Sequence, residues 1–170
     1  MRRMPTGMNR LSVFVAIITL LFIYLTFHGV QPLAAQVTGL VLVVASFEFF
    51  WAAKWESSRA KLLAAFDEKL PSSLLTTGPY SLVRHPFYTS YLLLWAGWAI
   101  ATWSIWALPP LAAIIIIYWT AASDEERKFA ATPMAEEYAA YAARTGRFFP
   151  KFGTVGAARF FAKLGADRTD

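Results

Sequence analysis

The chain has 170 residues, 57% of them hydrophobic and only 16% charged, whereas about a quarter of the residues of a soluble domain are charged. Cysteine is absent, which excludes disulfides, cysteine-ligated zinc and thiol nucleophiles. The net charge of +5 would suit a nucleic-acid-binding protein, but the basic residues flank long apolar segments and are better explained as a membrane-topology signal. We therefore predict a single all-α integral membrane domain over residues 1–170, with no nucleic-acid partner.

Four segments are apolar enough to cross a bilayer as helices: residues 11–28, 33–53, 86–103 and 105–123. Residues 86–123 form a run of 38 positions without a charged side chain or histidine. Because one crossing needs only about 20 residues, this run predicts a helical hairpin. Trp103–Ser104 and Pro109–Pro110 mark the expected break, since proline cannot continue a helix from within. Glu48 lies near the inner interface, where we expect it either to serve a function or to snorkel or pair with a nearby lysine.

The basic residues predict the orientation of these spans. All 16 lie in three groups, before the first span, between the second and third, and after the fourth. The positive-inside rule then places both termini in the cytoplasm of a multi-pass protein, in the plasma membrane or, in a bacterium, the inner membrane. The first apolar segment is longer than the core of a usual signal peptide, so we predict a retained helix rather than cleavage near Leu33–Ala35.

The loop 54–85 is long enough to hold structure of its own. Residues 54–70 have the composition of an amphipathic helix on the membrane surface. Pro71–Ser73 is expected to end this helix, and residues 76–80 are expected to form a turn.

The cytoplasmic C-terminal region, residues 124–170, predicts further short helices. Ser123 is expected to cap a new helix after the fourth span, and Thr132–Pro133 to interrupt it. Thr132 is expected to cap a second helix that begins at Pro133 and ends at Thr145–Gly146. Residues 155–164 are predicted to form a short basic amphipathic helix on the membrane.

The segment GPYSLVRHPFYTS, residues 78–90, places polar and turn-forming residues at the entrance to the third span. One interpretation is structural: basic residues and tyrosines anchor the interface, and proline begins the helix. The other is a ligand site, because the free N–H groups of a helix that begins at Pro86 attract an anion. Arg84 adds a fixed positive charge that can pair with a carboxylate, and His85 adds a hydrogen-bond donor and acceptor. The side chains of Tyr80 and Tyr88 can pack against a ring of the ligand. The residues alone leave both interpretations open.

Glu125 and Glu126 follow the fourth span on the same side of the membrane. One interpretation is structural, because acidic residues stabilise the N-terminus of a helix. However, a hairpin formed by the third and fourth spans also brings the ends of its two helices together. We therefore expect the pair to lie close to Arg84 and His85, where an anion site beside carboxylates suits a zwitterionic ligand. Neither histidine has partners at metal-ligand spacing, so no metal site is predicted, and no GxGxxG or Walker-type loop is present.

Taken together, GPYSLVRHPFYTS, EERKF, EEYAAY and RFFP resemble the isoprenylcysteine carboxyl methyltransferase family, whose membrane relatives include the phospholipid N-methyltransferases. The resemblance covers residues 70–150 and implies an integral membrane enzyme that binds S-adenosylmethionine without a Rossmann domain and acts on a lipophilic substrate. It implies cofactor contacts from Leu74, Leu75, Tyr80, His85, Pro86, Phe87, Tyr88, Glu125 and Glu126. Arg84 and Glu126 become the candidate catalytic residues. Glu126 or Glu125 would take the proton of an amine acceptor, whereas a carboxylate acceptor needs no base.

Two positions depart from the family pattern. Ser90 stands where the motif ends in glycine. Family members that methylate prenylcysteine carry an arginine about one helical turn before the glutamate pair, but residues 118–122 contain none. Arg84, Arg144 and Arg147 are the candidates to replace it.

Two other functions compete with methyl transfer. A non-catalytic membrane protein that retains the fold is one. An NADPH-dependent enzyme similar to sterol reductases is the other, although no dense basic patch for a 2′-phosphate lies near the motif and Phe87 replaces the asparagine expected there. Methyl transfer to an isoprenylcysteine-like carboxylate or a lipid amine is the function that the sequence favours.

Overall fold

The computed structural model describes residues 6–59 and 74–151, which fold into helices joined by short connections. The helices are α1 (Thr6–His28), α2 (Leu33–Arg59), α3 (Pro86–Thr102), α4 (Leu108–Ala130) and α5 (Ala135–Arg144), with 3₁₀ turns at Gly78–Ser81 and Ile105–Ala107. No strand is present within the described ranges, where the one β-type contact is an isolated bridge between Val83 and Gly146. The all-α prediction is therefore confirmed for this part of the chain.

The predicted hairpin is formed by α3 and α4. The left-handed backbone of Trp103, with a φ of 49°, ends α3, and two prolines occupy the first turn of α4. α1 packs against this hairpin, and the core between the three helices is aromatic and aliphatic. Its buried members are Ile18, Phe22, Leu25, Trp95, Ala99, Ala107 and Ile114.

α2 runs antiparallel to α3 and packs closely against it. Gly39 meets Gly97 in the middle of the contact, and Phe50 packs against Phe87 where α3 begins. A Cβ on Gly39 would lie 2.4 Å from the carbonyl oxygen of Gly97, so the two backbones approach as closely as glycine allows. This contact fixes the start of α3, and with it the residues that precede Pro86.

Within residues 6–59 and 74–151, two helical segments are long and apolar enough to cross a membrane: Leu33–Arg59 and Ile105–Ala130. The apolar part of α1, Ser12–His28, is shorter, and α3 has 17 residues. Large apolar side chains on the outer faces of α1 and α2 are exposed by half or more, among them Ile17, Leu20, Val37, Leu40, Val44 and Trp51. An apolar surface of this extent is typical of helices that face lipid.

Three sequence predictions need correction. α2 continues to Arg59, so the predicted loop does not begin at residue 54. α4 continues through Ser123, which caps nothing: its hydroxyl donates to the carbonyl of Trp119, four residues back in the same helix. The second cytoplasmic helix, α5, begins at Ala135 rather than at Pro133.

Other predicted local features are present or lie outside the described residues. The interruption at Thr132–Pro133 is confirmed, since the Thr132 hydroxyl accepts a hydrogen bond from the Met134 N–H. The turn at residues 76–80 is confirmed as a 3₁₀ turn in which Gly78 has a φ of 57°. Glu48 is exposed on α2, and none of the described residues pairs with it. Residues 60–73 and 155–164, where surface helices were predicted, lie outside the described ranges.

Candidate active site

Three segments meet at one end of the α3–α4 hairpin. They are residues 83–85 before α3, the last turns of α4, and residues 145–148 after α5. The C-terminal segment lies along the first one: the Arg84 N–H donates to the Gly146 carbonyl at 2.8 Å, and the His85 N–H donates to the Arg147 carbonyl at 3.2 Å. Charged side chains from all three segments are thereby brought together.

Glu126 is the centre of this charged cluster. One carboxylate oxygen, Oε1, accepts from Arg84 Nε at 3.0 Å, from His85 Nε2 at 3.1 Å and from Arg147 Nε at 3.1 Å. The other, Oε2, accepts from Arg147 Nη2 at 2.5 Å. The side chain of Glu126 is 15% exposed. Two guanidinium groups and an imidazole therefore hold this carboxylate as an anion.

His85 bridges the two glutamates. Its Nδ1 lies 3.2 Å from Glu125 Oε2, while its Nε2 contacts Glu126. Burial opposes the charged imidazole, but hydrogen bonds to both carboxylates outweigh burial and raise the pKa of His85 above its ordinary value. Because ionised carboxylates only accept hydrogen bonds, this geometry is satisfied on both sides when both ring nitrogens carry protons.

Glu125 has a different environment from its neighbour. Its Oε1 accepts from the Tyr88 hydroxyl at 2.5 Å, and its side chain is 31% exposed, twice the fraction of Glu126. The ring of Tyr88 stacks with those of His85 and Tyr118, with centroids 5.6 Å and 5.3 Å apart respectively. Glu125 is thus the more accessible carboxylate, beside a wall of aromatic rings.

Tyr80 is held at both ends. Its hydroxyl lies 2.7 Å from Ser57 Oγ on α2, and its carbonyl accepts from the Tyr141 hydroxyl of α5 at 2.6 Å. The 3₁₀ turn that contains Tyr80 is therefore tied to both helices. Ser57 and Tyr141 were not identified from the sequence: Ser57 belongs to no quoted motif, and Tyr141 ends EEYAAY without any role having been assigned to it.

The other predicted site residues surround the cluster at different distances. Pro86 is buried as the first residue of α3, and Phe87 packs against Phe50 of α2, with ring centroids 5.5 Å apart. Leu74 and Leu75 are half-buried in the segment that leads to the 3₁₀ turn. Among the described residues, no group of three His, Cys, Asp or Glu side chains is arranged to hold a metal ion.

Arg147 is the residue whose part in the site the sequence left open. Arg84, Arg144 and Arg147 were equivalent candidates for the missing arginine, and the structure separates them. Arg84 and Arg147 both contact Glu126, whereas Arg144 is exposed at the end of α5. Arg147 also places its guanidinium 4.6 Å from the ring centroid of Trp119, within the stretch that lacks an arginine. No periodic sequence pattern links residues 126 and 147. The motif RFFP, which begins at Arg147, was the only sequence feature that indicated a part for this residue in the site.

Comparisons with known proteins found a family match and a relative. The sequence profile of the phospholipid methyltransferases matches residues 32–139. The cobalt-zinc-cadmium resistance protein CzcN of Cupriavidus metallidurans is 32% identical over 147 residues, which cover 85% of this chain. The chain spans 63% of the length of that relative. No solved structure matches the chain.

Proposed function

The chain belongs to the phospholipid methyltransferase family, and from this premise we propose that it transfers a methyl group from S-adenosylmethionine to a lipophilic acceptor at the cytoplasmic face of a membrane. We also propose four membrane crossings, by α1 to α4, with both termini in the cytoplasm. Two apolar segments of sufficient length among the described residues support this topology, and so does the distribution of all 16 basic residues into three groups that four crossings would place on one side.

The observation that carries the proposal is the His85 bridge between Glu125 and Glu126 at the start of α3. S-adenosylmethionine supplies an electrophilic methyl group on a sulfonium, and it also has a carboxylate and an ammonium group. The residues present fit these groups. No side chain caps α3, so the N–H groups of its first turn are available to a carboxylate. The glutamate pair suits an ammonium, and the stacked rings of Tyr88 and Tyr118 suit a positively charged or planar group.

A lipid amine is the acceptor that the contacts favour over a carboxylate. Most N–H groups of the Arg84 and Arg147 guanidinium groups already donate to Glu126, to Ser123 Oγ or to backbone carbonyls, so few remain to bind a substrate carboxylate. The accessible charged oxygens belong to Glu125, which attract a donor such as an ammonium group. An amine must lose a proton before it can accept a methyl group, and a carboxylate within hydrogen-bond reach can take it.

Glu125 is the better candidate for this proton than Glu126. Three donor groups stabilise the anionic form of Glu126, and a carboxylate held in this way binds a proton weakly. We therefore assign Glu126 and Arg84 to positioning of His85 and the site, and Glu125 to proton transfer. This revises the assignment of Arg84 and Glu126 as the catalytic pair.

Cofactor binding to the purified full-length protein in detergent tests the proposal. Calorimetry with S-adenosylmethionine, S-adenosylhomocysteine and NADPH is compared for the wild type and His85→Ala. Binding of both adenosyl compounds, lost in the variant, is the expected result. Binding of NADPH alone would instead indicate a reductase, and no binding to any of them a non-catalytic membrane protein.

Transfer of a labelled methyl group in vesicles then tests the acceptor. Vesicles that contain phosphatidylethanolamine are expected to give labelled lipid, and a prenylcysteine acceptor is expected to remain unlabelled. Glu125→Gln should lower the rate by about 100-fold or more, the usual contribution of a general base. Asp124→Asn is the matched control, because Asp124 is exposed on the preceding position and pairs with Arg127. Preferential labelling of the prenylcysteine would overturn the amine assignment.

A further inference from the structure

We infer that Arg147 is a positioning residue of this site and that it holds Glu126 beside His85. Arg147 lies in a segment beyond the part of the chain that the family profile matches. The geometry is independent of the reaction, and only its kinetic consequence rests on the proposed function. The profile ends at residue 139, so the match assigns no role to residues 145–148.

The backbone fixes where Arg147 can point. Two hydrogen bonds join residues 146–147 to residues 84–85, and the Thr89 hydroxyl donates to the Phe148 carbonyl at 3.1 Å. Gly146 is required for this path, because a Cβ there would lie 1.6 Å from the carbonyl oxygen of Phe149. The side chain of Phe148 is buried against His85 and Trp119. The segment is therefore anchored on both sides of Arg147.

The guanidinium of Arg147 is held in one orientation by three kinds of contact. Nε and Nη2 bind the two oxygens of Glu126, Nη1 donates to Ser123 Oγ at 3.1 Å, and the plane lies over the ring of Trp119. A two-point contact between guanidinium and carboxylate fixes direction as well as charge. A lysine keeps the charge but cannot reproduce this fork.

This arrangement couples Arg147 to His85 through a shared oxygen atom. Arg147 Nε and His85 Nε2 each lie 3.1 Å from Glu126 Oε1. The charged groups that face His85 are Glu125 and Glu126 from α4, Arg84 from its own segment and Arg147 from the C-terminal one, with the Tyr88 ring stacked on it. Loss of Arg147 removes one positive charge close to His85, while Arg84 still binds the Glu126 oxygen that His85 contacts, so the imidazolium is more easily formed.

Histidine titration by NMR measures this coupling directly in the intact protein. The chain has two histidines, so labelled histidine gives two signals. His28 is the last residue of α1, where it contacts Tyr24 and none of the described site residues, so it serves as an internal reference. In Arg147→Gln we expect the midpoint of His85 to move upward by about one pH unit, with His28 unchanged. Arg127→Gln is the control, because Arg127 is exposed on α4 and pairs with Asp124. In this variant the midpoints of both histidines should stay at their wild-type values.

A midpoint of His85 that does not rise in Arg147→Gln, or that rises equally in Arg127→Gln, would overturn the inference. An unchanged His28 signal shows that the substitution leaves the C-terminal end of α1 unperturbed. Arg147→Lys gives a second test that does not depend on the glutamine variant. It should keep the His85 midpoint near the wild-type value because the charge remains.

Kinetics separate positioning from charge. In Arg147→Lys we expect kcat for methyl transfer to fall by about 10- to 100-fold, as when catalytic groups are misplaced, while KM for the cofactor changes little. A lysine variant with full kcat would show that the two-point contact is not needed and would refute the positioning role. A wild-type protein that binds no adenosyl compound would defeat the proposed function, but the titration would still decide the part that Arg147 plays.

Discussion

The close contact of α2 with α3 makes Gly39→Ala a sharp test of the fold. The added Cβ would lie 2.4 Å from the Gly97 carbonyl oxygen and 2.6 Å from the Ala101 Cβ. Non-bonded carbon atoms prefer about 3.5–4.0 Å, so the helices must separate by about 1 Å. Overpacking of this kind costs about 1–3 kcal/mol, and we expect the upper end because backbone atoms cannot rotate away. Alanine favours the helix over glycine by about 1 kcal/mol, so the net loss of stability should be about 2 kcal/mol.

Unfolding in mixed micelles of increasing SDS content, followed by helical circular dichroism, measures this loss. Gly97→Ala should cost less, since its Cβ would meet its nearest atoms at 2.8 and 2.9 Å. Ala45→Leu is the control, because Ala45 is exposed on α2, and it should leave stability unchanged. A Gly39→Ala variant as stable as the wild type would refute the close approach of the two helices.

Two further predictions concern the residues around the site. Since hydrogen bonds to both glutamates outweigh burial and raise the pKa of His85, its imidazolium contributes stability that is fully present below about pH 6.5, the unfolded-state value. This contribution is lost as the pH rises through the higher pKa of the folded state, so thermal unfolding temperatures should fall above pH 6.5 in the wild type and fall less in His85→Gln. Tyr141→Phe removes the 2.6 Å hydrogen bond to the Tyr80 carbonyl and should lower the free energy of unfolding by about 1 kcal/mol in the same SDS assay. Tyr24→Phe is the exposed control, and equal stability of the two variants would show that the hydrogen bond of Tyr141 does not stabilise the fold.

Hairpin connectivity explains why the sequence predicted that Arg84 and His85 lie beside Glu125 and Glu126. Two helices joined by a short turn must have neighbouring open ends, so Arg84 and His85 were expected beside the glutamate pair. The ion pair of Arg84 with Glu126 and the contacts of His85 with both glutamates confirm that expectation. Motif order along the chain was sufficient here, because helix geometry alone converts it into proximity.

The errors arose where a local pattern has two physical solutions. Ser123 followed by acidic residues fits a helix start, but it fits an uninterrupted helix equally well when the backbone hydrogen bonds simply continue. The uninterrupted form makes Ser123 a partner of Arg147 instead of a cap. Arg147 itself reaches Glu126 only because Gly146 and the pairing with residues 84–85 set the path of a segment without regular structure. Neither hydrophobic periodicity nor spacing carries that information.

The unbroken helix also explains how two adjacent glutamates come to differ. Successive positions on an α-helix of 3.6 residues per turn are rotated by about 100°. Glu126 thereby faces Arg84 and Arg147, while Glu125 faces Tyr88 and remains more exposed. His85 lies between them and contacts both. Had a new helix begun at Ser123, the direction of the pair relative to α3 would have been set by that helix and not by the hairpin. The continuity of α4 therefore gives one carboxylate three charged partners and leaves the other more exposed.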